Sequence, residues 1–505
     1  MLTRIAQHGD DRWLRQGLAV AGLTVPLVKA AMTVAVEVGD PLGPLLAQLV
    51  TEAKARANGI VNQLAGDLPE ASVALSDFIA VVKARRVEFL GSKADTSPKG
   101  VLAYVEALFE LANTLWRNGK PEEALQRVDH ALTLWLERGK GQSSFKENWA
   151  AILNTKGAIL SDLGDRDDAV EVAAKAEDLY RELATARPDT YRDRWAMALG
   201  TLGVCLSGVG RHADALDAGR RAEALYRELA ASHPDAHRPA WANSLNNHGN
   251  RLSHQGHWIE ALAAAKEAEA ILRDLAAVDP DTYRVDWVGP LQNLGNRFCD
   301  VGAYDQALET LEQAVVIQRQ LVGFRPQAHS LGLVRALGSL ALAMLRSGAG
   351  GAIAPLLAEA MTRAEPLHRQ LPRATANIFG GLHALQAMLS LRADDMAGAT
   401  AAADRALEIL GDNGDGDPAW VDPIRAVALA VRALAAGLPV AESGYLARWA
   451  FTLIEPHFRS RSRSTWHMMA VVVEALRRYC GPDAVPADIV VLLEQAQIPL
   501  PLASE

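Results

Sequence analysis

The chain has 505 residues, half of them hydrophobic and 22% charged, with a formal net charge of −9. That balance fits a water-soluble, well-packed protein and argues against a general electrostatic attraction to nucleic acid. Aromatic residues make up only 6%, while alanine and leucine recur throughout, a composition that favours helix.

Taken in chain order, the first feature is "GLAVAGLTVPLV" at 17–28. It follows the acidic pair Asp10–Asp11 and is cut off by Lys29. A signal peptide needs a basic start, and a membrane span needs about 20 apolar residues. A core helix is expected instead, and no membrane contact. "ASVALSDFIAVVKARRVEFL" at 71–90 carries Val73, Leu75, Phe78, Val81 and Val82 at helical spacing. Residues 1–90 therefore read as an N-terminal helical bundle or cap. The polar "GSKADTSPKG" at 91–100 reads as a linker.

A repeat then takes over. Trp149, Trp195, Trp241 and Trp287 are spaced by 46 residues. In phase with them run a small residue (Gly157, Gly203, Gly249, Gly295, Ala341, Ala387) and a glycine (Gly164, Gly210, Gly256, Gly302, Gly348). Alanines at Ala169, Ala215, Ala261 and Ala307, and again at Ala176, Ala222, Ala268 and Ala314, keep the same period. Pro188, Pro234, Pro280, Pro326 and Pro372 close the units. An earlier unit fits at Ala112, Gly119, Ala124 and Ala131. About seven units are expected over 101–410.

Each unit reads as a helix pair. Leu291, Leu294, Phe298 and Val301 lie on one helical face. Gly302 supplies a backbone able to take φ > 0 and end that helix. A second helix is expected from near Asp305, burying Ala307, Leu308, Leu311 and Ala314. The equally spaced tryptophans are expected to staple successive units. One pair exposes an apolar face that only a neighbour can cover, so the pairs must stack into a solenoid.

The small residue, turn glycine, Ala–Leu pair, second alanine and closing proline resemble the tetratricopeptide repeat. The usual unit has about 34 residues, so the extra length adds roughly six residues, or about 9 Å, to each helix. Such long units are similar to those of kinesin light chains and of many actinobacterial signalling proteins. The resemblance implies an all-α, right-handed α-solenoid with helical ends, and a concave surface lined by the first helix of each pair.

That surface focuses attention on "LNNHGNRLSHQGHWIEAL" (245–262) and its echo "LQNLGNRFCDVGAYDQAL" (291–308). Asn246, Asn250 and His254 fall off the apolar stripe at i, i+4, i+8, matched by Gln292, Asn296 and Asp300, with Asn113 in the corresponding column of the first unit. A side-chain amide donates and accepts at once, as a peptide bond does, so these seven residues are the candidate partner-binding set. Asn247 and Asn293 read as internal struts. Arg251 and Arg297 are either solvated or paired with Asp300 or Glu260, and His248 as a packed histidine.

Beyond the array, "GDNGDGDP" (411–418) lacks the glycine and distal glutamate of a calcium loop and reads as a plain loop. Residues 419–505 read as a C-terminal helical cap, with "RSRSRS" (459–464) a solvated helix end. No phosphate-binding loop, His-Glu-x-x-His or Gly-x-Ser-x-Gly is present, and Cys205, Cys299 and Cys480 form neither a close pair nor a metal spacing. No cofactor or metal is expected, and a reducing cytoplasm is the expected compartment. The functional expectation is a protein- or peptide-binding scaffold or sensor in signalling, acting in trans. The alternative is an enzyme whose site is built by the N-terminal helices, with the array as a substrate platform.

Overall fold

The computed structural model describes residues 24–38, 42–53, 58–64, 68, 75–93, 97–141, 144–348, 353–411, 418–459 and 466–495. The core of "GDNGDGDP", all but the first residue of "RSRSRS", and most of "GLAVAGLTVPLV" lie outside them. The described residues form helices, with no strand among them.

Seven helix pairs follow in order: Pro98–Arg117 with Pro121–Arg138, Phe145–Leu163 with Arg166–Ala186, Pro188–Gly208 with His212–Ser232, and Pro234–His254 with Trp258–Val278. Pro280–Asp300 with Tyr304–Phe324, Pro326–Ser347 with Ile353–Gln370, and Pro372–Arg392 with Met396–Leu410 complete the series, here numbered units 1 to 7. Each helix packs on the next, which is the contact pattern of a solenoid. Ahead of unit 1, Ser76–Ser92 shares one apolar cluster with helices Val25–Val38 and Leu42–Ala53, and lays Val87 against unit 1. After unit 7, Pro418–Ala435, Val440–Arg459 and Trp466–Cys480 extend a single core that begins at Ala265 and ends at Leu493. Ala328–Ser347 has the length and apolarity to cross a membrane, but half of it is buried inside this array.

The repeat columns account for the geometry. Gly164, Gly210, Gly256, Gly302 and Gly348 all take φ between 76° and 86°, as does Gly119 at 75°, so each turn uses a left-handed backbone open to glycine. The prolines do something other than close a unit. Pro188, Pro234, Pro280, Pro326 and Pro372 are each the first residue of the next unit's first helix. At that position the missing N–H has no partner to lose, and the fixed φ starts the helix.

The tryptophans serve as staples through a hydrogen bond as well as through packing. Trp195 Nε1 donates to Glu177 Oε1 (2.8 Å), Trp241 Nε1 to Glu223 Oε1 (3.3 Å) and Trp287 Nε1 to Glu269 Oε1 (3.0 Å). Each acceptor is buried on the second helix of the preceding unit and is also paired with an arginine four residues on: Arg181, Arg227 and Arg273. The buried carboxylate is thus neutralised from one side and hydrogen-bonded from the other.

Ala222 and Ala268 are buried where second helices meet their neighbours. Ala222→Leu or Ala268→Leu is expected to overpack that contact and destabilise the protein by roughly 1–3 kcal/mol in urea unfolding. Parental stability in either variant would remove that column from the core. Melting should also be broad, because each unit couples mainly to its neighbours.

The array coils far enough to meet itself. The first helix of unit 2 approaches the first helix of unit 7. Arg325, at the start of unit 6, donates from Nη1 to Asn118 Oδ1 of unit 1 (3.2 Å). Asp162 of unit 2 is within electrostatic reach of Arg335 of unit 6, and Asp286 of unit 5 within reach of Arg117 of unit 1. Asp162, Asp286 and Arg335 all keep surface open to water while protein surrounds them.

Candidate functional site

The first helices of units 5 to 7 bring part of the amide columns to one place. A pocket of about 520 Å3 opens between the first helices of units 5, 6 and 7 and Pro418–Ala435. Its polar wall is Gln292, Asn293 and Asn296 of unit 5, with Ser339, Arg335 and Arg346 of unit 6 and Asn377 of unit 7. Opposite them stand Ile378, Leu382, Leu385 and Met388 of unit 7, with Ile424, Val427 and Met468 beyond. A volume of this size is in the range of about 300–1,000 Å3 usual for ligand pockets, and apolar walls with a few convergent polar groups are their usual chemistry.

The seven candidate residues divide. Asn296 and Gln292 line the pocket. Asn296 makes no side-chain hydrogen bond among the described residues, whereas Gln292 Nε2 donates to Ser339 Oγ at 3.3 Å. Asn250, one unit earlier, is half-buried and likewise without a hydrogen-bond partner among the described residues, but it does not line the pocket. Asn246 is engaged by Asn293, whose Nδ2 donates to its Oδ1 at 2.9 Å. Asn293 is therefore the strut between units that its column suggests, and it lines the pocket too. Asn113 accepts a long bond from Thr155 Oγ1 at 3.5 Å, far along the chain from the pocket.

The other two turn away from the groove. Asp300 is buried; it accepts from Ser253 Oγ (2.8 Å) and is paired with Arg297 Nε (3.0 Å). His254 stands edge-on to His212 of the preceding unit, with ring centroids 5.9 Å apart. The cause is helical rotation. At 3.6 residues per turn each i+4 step drifts by about 40°, so the third member of the series has swung about 80° from the first, off the groove and into the seam between units.

Arg251 and Arg297 follow the amides into that seam. Arg251 is buried, donating from Nε to the Gly203 carbonyl (3.3 Å) and from Nη2 to the Gly200 carbonyl (3.1 Å), and burial pushes its guanidinium down to about 10. Arg297 pairs with Asp300, as one reading of the sequence has it. His248 is packed, its imidazole held below the ordinary range by burial. Cys205 and Cys299 are buried free thiols, and burial pushes Cys205 up to about 12, which leaves it inert as a nucleophile.

Sequence reasoning missed the far wall and the cation, although the columns lead there. The Asn250–Asn296 column continues, 46 residues at a time, to Leu342 and Met388. The Asn293 column continues to Ser339 and Leu385. Positions that are amides in unit 5 are aliphatic in unit 7, so one set of columns builds both walls.

The arrangement is that of a tetratricopeptide-type solenoid, and residues 291–329 match the family model described as tetratricopeptide repeat. No curated protein matches the chain. Among solved structures, a Rap protein complexed with competence and sporulation factor is similar at 15% identity, covering 76% of this chain and 98% of that one, with a TM-score of 0.46. The Rap conjugation gene regulator of plasmid pLS20, in complex with the Phr* peptide, is similar at 16% identity over 73% of this chain and 97% of its own, with a TM-score of 0.47. BtubC (BKLC) from P. vanneervenii is similar at 18% identity over 48% of this chain and 91% of its own, with a TM-score of 0.38.

Proposed function

We propose that the chain is a binding scaffold that captures a short peptide segment of a partner in the groove between units 5 and 7, and that it does so in the cytoplasm as a regulatory or sensing component. The observation that carries this reading is Asn296, an amide with no partner among the described residues, set on the polar wall of a pocket whose opposite wall is aliphatic. An extended peptide presents those two needs together: backbone amides that require donors and acceptors, and side chains that gain from apolar burial. The three unpaired cysteines suit a reducing compartment.

The test is selection from a random peptide library on the immobilised protein, followed by calorimetry on the enriched sequences. Asn296→Ala should leave helix content and melting nearly unchanged, since its amide has no hydrogen-bond partner among the described residues. The same change should weaken peptide binding by about 1 kcal/mol through lost backbone hydrogen bonds. A large loss of stability with unchanged binding per folded molecule would place the ligand elsewhere.

A further inference from the structure

Arg335 stands out within that pocket. It lines the wall beside the aliphatic face and forms no hydrogen bond or ion pair among the described residues. Protein surrounds Arg335 while its surface stays open to water, and those surroundings disfavour the charged form of its guanidinium. The opposing influence is Asp162, which belongs to unit 2 and comes near only because the array coils back on itself. Asp162 is fixed from its own side: Trp116 Nε1 donates to its Oδ2 at 2.6 Å. The carboxylate therefore stands near the cation without closing on it, and a fork of five donors is left facing the pocket.

Resting on the groove reading above, we infer that the pocket selects a peptide with an acidic side chain flanked by aliphatic residues, the acid closing with Arg335 the ion pair that Asp162 leaves open. The stand-in shows the chemistry: what already approaches Arg335 is a side-chain carboxylate. A guanidinium binds a carboxylate through two parallel hydrogen bonds, which fixes orientation as well as charge. The neighbouring Ile378, Leu385 and Ile424 take the flanking side chains. Because Asp162 and the ligand carboxylate are like charges drawn to one cation, each weakens the hold of the other. Ligand capture and the attraction between Asp162 and Arg335 are thus opposed, and the interaction is reciprocal.

Two mixed peptide sets test this, both acetylated and amidated so that no terminal charge remains. One has glutamate at the centre and the other glutamine, each flanked by leucine, isoleucine and valine. The glutamate set should be retained more tightly by about tenfold, a difference of about 1.4 kcal/mol. Arg335→Gln should erase that preference, bringing retention of the glutamate set down to that of the glutamine set in the same variant. Asp162→Asn, which keeps an acceptor for Trp116 while removing the charge, should tighten the glutamate set severalfold and leave the glutamine set alone. That gain cannot come from misfolding.

Equal retention of both sets would overturn the acidic selection while leaving peptide capture standing. Retention of neither set would overturn both. A glutamine set bearing a free C-terminal carboxylate that outcompetes the capped glutamate set would overturn the side-chain assignment. Loss of preference in Arg335→Gln with no change in Asp162→Asn would overturn the opposition between the ligand and Asp162.

Discussion

Gly219→Ala is expected to destabilise the protein by about 2–4 kcal/mol, although alanine is the better helix former. Gly219 lies inside the helix His212–Ser232, where alanine alone would gain about 1 kcal/mol. A Cβ there would sit 2.7 Å from Arg251 Nη1 and 3.2 Å from its Cδ. Arg251 has no room to yield, because a Cβ position on Gly203 lies 2.7 Å from its other terminal nitrogen. The displaced guanidinium would lose two bonds to backbone carbonyls, each contributing about 1.5–3 kcal/mol for a charged donor, and that outweighs the propensity gain.

The junction one unit earlier shows how the loss can be recovered. There Cys205 stands in the Arg251 column and Ala173 in the Gly219 column, and the Cys205 thiol lies 3.7 Å from the Gly157 carbonyl, as Arg251 meets that of Gly203. Arg251→Cys in a Gly219→Ala background should therefore rebuild that earlier junction and be more stable than Gly219→Ala alone by about 2 kcal/mol. Urea unfolding of the parent, both single variants and the double variant measures the coupling directly. Simple addition of two losses would show that the two junctions are not equivalent.

This pair also marks what can be read from a chain of this kind. The turn glycines and buried alanines were legible because each is required by local backbone or by helix approach, and repetition made them visible. Their period located the helix pairs of units 1 to 5 most sharply, whereas unit 7, with Asp394 at φ 58° in place of the turn glycine, was marked by Pro372 and Ala387. Arg251 was harder to place. Its column holds Ile159 and Cys205 in earlier units, and nothing local reveals that a neighbouring column has exchanged alanine for glycine to admit it.

The amides were half legible for a similar reason. Asn296 and Gln292 could be placed on one helical face from spacing alone, since they lie about one helical turn apart, and both line the pocket. Asp300 and His254 could not, because rotation accumulates along a straight helix and carries the last residue of the series out of the groove. Arg335 depends on still longer-range information. Its meeting with Asp162 exists only through the coiling of the whole array, a sum of small rotations that no single unit encodes.

The contact made by that coiling is expected to weaken in acid. His329 is buried on the first helix of unit 6, its Nε2 without a hydrogen-bond partner among the described residues, and it lies near Arg325, whose guanidinium donates to Asn118 across the closure. Burial, then the Arg325 charge, pushes the imidazole down from 6.5 to about 4. Asp77 and Asp281 act on Arg325 in the opposite sense, favouring its charged form. The unfolded chain takes up the proton first, near the ordinary value. Stability is therefore complete above about pH 6.5, declines as pH falls from there, and levels off below about pH 4. A shift of this size corresponds to about 3 kcal/mol at full titration. His383, packed at 4.8 Å against Phe379 and also pushed down to about 4, adds a second contribution of the same sign. His329→Gln should reduce the stability lost between about pH 7 and pH 4.5 by about 2–3 kcal/mol relative to the parent, measured by urea unfolding across that range. Hydrogen exchange at 114–120 should rise with acid in the parent and less in the variant, because the added charge falls beside the Arg325–Asn118 contact. A variant with the parent's pH slope would show that His329 is protonated without hindrance in the fold, and that the closure does not feel its charge.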